Sequence, residues 1–176
     1  MLEATATLLI ALHTLGAALG AGGVTYAEVF YTKAVADGKI DRRERDYFET
    51  TYWALRWGML TVLLSGIALI VVQYFLPDSP DAVLYAPLWM QNTLALVVTI
   101  SAWALSRDLL PWWLGSALAF SGWWMLLILD AFRAVSVPYL TLLFAYVLAV
   151  FIAAAGWGYA RVLLRKDVAP GERKSA

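Results

Sequence analysis

The chain contains no cysteine. That absence excludes a disulfide, a thiolate metal centre, an iron–sulfur cluster and a cysteine nucleophile. It contains a single histidine, His13, which excludes every site that needs two imidazoles from one chain, a bis-histidine haem among them. Charge is also scarce: 15% of the 176 residues are Asp, Glu, Lys or Arg, against about 25% in an ordinary soluble domain. The 13 basic and 13 acidic residues cancel, so no excess of positive charge is available for a nucleic-acid backbone, and no nucleic-acid partner is expected.

What fills the space is apolar. Hydrophobic residues make up 62% of the chain, with nine Trp and nine Tyr, and the mean hydropathy is +0.70. This is the composition of an integral membrane protein, with the lipid bilayer as its first partner.

The charges leave five long uncharged stretches, at 4–27, 57–76, 82–106, 109–129 and 134–160. Each meets the roughly 20 residues needed to cross about 30 Å of hydrocarbon. Runs of this length satisfy their backbone polar groups in lipid only as helices, and they lack the alternation of a barrel strand. The sequence therefore predicts an all-α, polytopic bundle of five transmembrane helices, over about 4–32, 42–76, 82–106, 109–133 and 136–165. Residues 1–166 form one domain in this reading, and 167–176 a polar tail. The first stretch has no basic region before it and runs on through Tyr26, Phe30 and Tyr31, so it reads as the first membrane helix rather than a cleaved leader.

Basic residues set the expected orientation. Lys33, Lys39, Arg42, Arg43 and Arg45 lie between the first two helices, and Arg161, Arg165, Lys166, Arg173 and Lys174 lie at the C-terminal end, whereas 77–81 carries only Asp78 and Asp81. This places the N-terminus outside and the C-terminus in the cytoplasm of a bacterial inner membrane, with Arg133 the one dissenting loop cation. Tyr52, Trp53, Trp57, Trp112, Trp113, Trp157 and Tyr159 are expected in the inner aromatic belt, and Tyr74, Phe75, Tyr85, Trp89 and Tyr139 in the outer one.

The segment 37–44 imitates the second half of an EF-hand loop, with Gly38 and Glu44 at matching positions. Lys33 and Val35 occupy the first ligand positions and cannot coordinate calcium through their side chains, so a turn is expected instead, followed by a helix start with Asp41 as cap and Glu44 closing a capping box.

Ionisable and amide groups at membrane depth carry the functional expectation. Counted from the middle of its stretch, His13 lies about 4 Å on the outer side of the midplane. Gln91 and Asn92 fall near that depth on helix 3, with Ser121, Trp124 and Tyr146 within about a turn of it. His13, Gln91, Asn92, Trp124 and Tyr146 are thus the candidate lining of a cofactor pocket in the outer half, with His13 as axial or metal ligand or proton carrier; interhelical hydrogen bonding that only packs the bundle is the alternative. Gly16, Gly20 and Gly23 make a smooth face for close helix approach, toward a helix of the same chain, a second protomer or a larger membrane complex. Glu28 and Arg56 are expected to form a structural ion pair, as are Asp130 and Arg133 at the outer end of helix 4. No Ser–His–Asp set or carboxylate pair is expected at a common depth, which ranks hydrolysis last.

Leu12-His13-Thr14-Leu15-Gly16, Gly22-Gly23 and Tyr31 in helix 1, Leu64-Ser65-Gly66-Ile67 in helix 2, and Pro87-Leu88-Trp89 with Leu94–Val97 in helix 3 resemble small bacterial membrane proteins related to copper-resistance D proteins and to haem-linked membrane protoporphyrinogen oxidases. The resemblance covers roughly residues 8–100. It implies a haem associated with His13; where the oxidases carry a basic residue near the start of the helix-3 motif, this chain has Gln91-Asn92-Thr93. The expected function is a bundle holding haem, quinone or another apolar cofactor around His13. A small permease for a metal ion or neutral solute, or an accessory subunit of a membrane complex, are the alternatives; no internal repeat favours transport.

Overall fold

A computed structural model describes residues 2–37, 42–75, 86–132 and 137–167. They form five α-helices: α1 (Leu2–Asp37), α2 (Arg42–Tyr74), α3 (Ala86–Ser106), α4 (Trp112–Ala131) and α5 (Tyr139–Asp167). All five are long and apolar enough to cross a membrane, and no strand occurs among the described residues. The expected Asp41 cap, the Glu44 side chain, Arg133, the 77–81 link with its aspartates, Tyr85 and the tail beyond Asp167 lie outside what is described.

Local chemistry explains the boundaries. α3 has Pro87 in its first turn, where the missing N–H forfeits no helical bond. It ends in a Schellman arrangement, with Leu109 N–H donating to the Ala104 carbonyl and Asp108 N–H to that of Leu105. Asp108 takes the left-handed conformation at φ 55°, which short polar side chains tolerate better than most. α4 then starts at Trp112 rather than near 109, because Pro111 is extended at φ −63°, ψ 140° and disfavours helix in the residue before it.

Residue contacts show that successive helices alternate in direction. Gly16 meets Gly58 and Gly23 meets Leu55 across α1 and α2; Val98 meets Gly122 and Leu105 meets Gly115 across α3 and α4. α4 packs against α1, α3 and α5 and has the most buried span, so it forms the centre, with α1 against α2, α4 and α5; of the helix pairs in contact, α2 and α3 touch each other least. α2 and α5 are peripheral and turn large apolar side chains such as Leu64, Ile67, Leu140 and Phe144 outward. The buried side chains include His13, Glu28, Thr32, Ser65, Ser101, Ser116, Ser121 and Asp130. Apolar residues facing out and small or polar ones facing in is the distribution that lipid selects.

The glycine face of α1 is used within the chain. A Cβ on Gly16 would lie 3.0 Å from the Gly58 carbonyl oxygen, and one on Gly58 3.2 Å from the Gly20 nitrogen. A Cβ on Gly20 would lie 2.0 Å from the ring of Trp123, which is itself buried. Gly23 is looser, with Leu55 at 3.3 Å. Of the expected occupants, then, α2 and α4 of the same chain fill this face.

Candidate functional site

Four polar side chains from four helices converge in the half of the bundle that contains the start of α1. His13 of α1 and Asp130 of α4 are both buried, with Nε2 and Oδ2 4.0 Å apart. Gln91 of α3 donates from Nε2 to Asp130 Oδ1 at 2.8 Å. His13 Nδ1 lies 3.0 Å from Ser65 Oγ of α2. The Ser65 hydroxyl donates back to the Thr61 carbonyl of its own helix, as serines within helices do. Its oxygen therefore accepts from His13, which places a proton on Nδ1 and turns Nε2 toward the carboxylate.

Two neighbours shape the surroundings. Gly66 lies beside the imidazole, where a Cβ would come within 3.4 Å of His13 Cε1. A small cavity of ≈ 40 Å³ opens between α2 and α3, reaching His13 and Gln91 from Leu63, Ile67, Leu88 and Asn92.

The antiparallel contacts relocate this layer. Gly20 packs on Trp123, near the middle of α4, so at 1.5 Å per residue His13 stands about 10 Å toward the N-terminal side of that level, not 4 Å. The uncharged run of α1 misplaced its centre because the helix continues to Asp37. Gln91 shares the level of His13, as expected. Asn92 is at the same level but exposed, and donates from Nδ2 to the Leu88 carbonyl of its own helix.

Trp124 and Tyr146 do not join the layer. Trp124 donates from Nε1 to Thr25 Oγ1 at 3.0 Å, about three turns along α1 from His13. The Tyr146 hydroxyl donates to the Leu118 carbonyl at 3.1 Å, likewise about three turns of α4 from Asp130. Conversely, Asp130 belongs to the layer. It keeps its expected place in the last turn of α4, on the buried face with Leu126 and Leu129, and its expected partner Arg133 lies outside the described residues.

Ser65, His13 and Asp130 thus meet at one depth, against the sequence expectation. They do not form a nucleophile triad: the serine proton is committed to a backbone carbonyl, and the imidazole donates to the serine rather than accepting from it.

Glu28 pairs with Arg161 of α5 at 2.8 Å instead of with Arg56. The register that sets Gly23 against Leu55 and Ala54 carries Arg56 past the level of Glu28. α5 runs parallel to α1 and brings Arg161 to the right height. Arg161 also lies 5.0 Å over the Tyr31 ring, which contacts Trp112, while Arg56 lies 4.7 Å over Tyr52. Among the described residues, no group of three His, Asp or Glu side chains could hold a metal ion.

Ser65 and Arg161 carried no site signal in the sequence, the one being a common helix serine and the other one cation in a basic terminus. Asp130 was visible, and an antiparallel count from His13 would have found it. Protein-family models, curated proteins and solved structures give no match to this chain.

Proposed function

We propose that the protein is a small proton-exchanging helix bundle of a bacterial inner membrane, and that its working part is a His13–Asp130 couple that takes up and releases a proton. The observation that carries this reading is a carboxylate with no exposed side-chain area, 4.0 Å from a buried imidazole, inside a span long enough to cross the bilayer. Such groups are costly at membrane depth, and where they occur they mark proton relays and solute pathways.

The hydrogen bonds suit the role. Ser65 accepts from His13 Nδ1 and Gln91 donates to one oxygen of Asp130, so that Nε2 and Oδ2 face each other at 4.0 Å as the two atoms on which the exchanged proton resides. The basic residues favour the N-terminal side, and so the couple, facing outward.

A haem fits the arrangement poorly. Nε2 is the nitrogen that would ligate iron, and it faces the Asp130 carboxylate beside only ≈ 40 Å³ of space. The metal-ligand and haem expectations for His13 therefore yield to proton exchange.

Infrared difference spectroscopy across a pH step, on protein in lipid nanodiscs, tests the reading. A protonated-carboxyl band that changes with pH, together with imidazole bands, and that vanishes in Asp130→Asn is the expected result. A band that is insensitive to pH, or that survives in Asp130→Asn, overturns it.

A further inference from the structure

We infer that the His13–Asp130 couple is reached sideways from the lipid, through the cleft between α2 and α3, by a bilayer-soluble molecule with an apolar body and a head of hydrogen-bonding oxygens, of the quinone class. This rests on the proton-exchange reading of the couple and names its ligand.

The cleft lies where the two helices touch least. Its mouth is made by Leu63 and Ile67 of α2 and by Leu88 and Asn92 of α3, and its floor by Gln91 and His13. Leu63 and Ile67 are 39% and 61% exposed on the outward flank of a helix that otherwise turns leucine and valine to the lipid. The opening is therefore lateral, walled by hydrocarbon. A charged solute would have to shed its water to enter there, which costs far more than a cleft of this kind returns. A molecule already dissolved in the bilayer has no such cost.

The polar groups identify the head. Asn92 places an exposed amide on the lipid-facing flank, satisfying one N–H on the Leu88 carbonyl of its own helix. An amide in that position is expensive in hydrocarbon, and a ligand oxygen at the mouth offsets the expense. Further in, Gln91 spends an N–H on Asp130 and keeps its amide oxygen as an acceptor. Donors and acceptors thus line the way to the imidazole, as carbonyl and hydroxyl oxygens require. The floor, at ≈ 40 Å³, holds one oxygen-bearing group and no ring, so the ring lies at the mouth against Leu63, Ile67 and Leu88. Gly66 keeps the His13 ring edge open to the cleft, since any side chain there would stand against Cε1.

The natural absence of cysteine allows a direct test. Wild-type protein, Asn92→Leu, and the single-cysteine variants Ile67→Cys and Leu140→Cys, each with and without a bulky maleimide, are placed in nanodiscs of phosphatidylethanolamine and phosphatidylglycerol. Decylubiquinone binding is then followed by tryptophan quenching. Saturable binding is expected in the wild type, weakened about tenfold by Asn92→Leu, the loss of one good hydrogen bond. Labelled Ile67→Cys should lose the saturable binding that unlabelled Ile67→Cys retains in weakened form, since cysteine removes part of the wall against the ring, while labelled Leu140→Cys, on the outward face of α5, should bind as wild type. No saturable binding, or binding indifferent to the label at Ile67, overturns lateral entry. The pH-dependent carboxyl band recorded on the same samples separates the two ideas: if it persists while binding fails, only the ligand assignment falls, and if it is absent from the wild type, the proton couple falls with it.

Discussion

The imidazole of His13 and the carboxylate of Asp130 stand 4.0 Å apart in the interior of the bundle, each tied by a further side chain to a helix that carries neither of them. α1 and α4 are thereby joined to α2 through Ser65 and to α3 through Gln91. A change at any of the four should be felt in both stability and protonation.

Gln91→Leu removes the amide donor from a buried carboxylate and should destabilise the bundle by about 1–3 kcal/mol. Gln91→Leu with Asp130→Leu should cost less than the sum of the two single changes, because the second removes the group that the first leaves unsatisfied. Unfolding in mixed micelles, run as a double-mutant cycle, checks this; strict additivity contradicts the coupling.

Gly20 and Gly22 should respond oppositely to the same methyl group. Gly20→Ala drives a Cβ into the Trp123 ring, an overpacking expected to cost about 1–3 kcal/mol or more. Gly22 has nothing within 4 Å of its Cβ position, so Gly22→Ala should be neutral or stabilising by up to about 1 kcal/mol. Thermal denaturation in detergent compares them, and Gly20→Ala combined with Trp123→Leu should recover part of the loss.

Arg161→Met should destabilise more than Arg56→Met. The first leaves the buried Glu28 carboxylate without its partner, a loss of about 3 kcal/mol, whereas Arg56 lies over an exposed tyrosine, a contact worth about 0.5–1 kcal/mol. Equal effects in the same melting assay would point back to an Arg56 partner for Glu28.

Optical spectra of the purified protein should show no Soret absorption, and added haem should not raise one. Binding of haem that is lost in His13→Ala would show instead that Asp130 yields Nε2 to iron.

Composition and the spacing of charges suffice for the class, the helix number and the span boundaries to within a few residues, because crossing hydrocarbon imposes a length and a polarity on each helix that leave little choice. They also suffice to single out His13 and Gln91, since any polar group at such depth is conspicuous. Rotation and register are a different matter. Lipid and bundle interior are alike apolar, so the faces of α1 and α4 carry no hydrophobic contrast from which to read what points inward. Tertiary packing alone decided that Asp130 turns in beside His13, that Trp124 and Tyr146 bond elsewhere, and that Arg161 takes Glu28. Gly16, Gly20 and Gly58 set those registers by letting backbones close to contact, a property of which helices meet and not of any one of them.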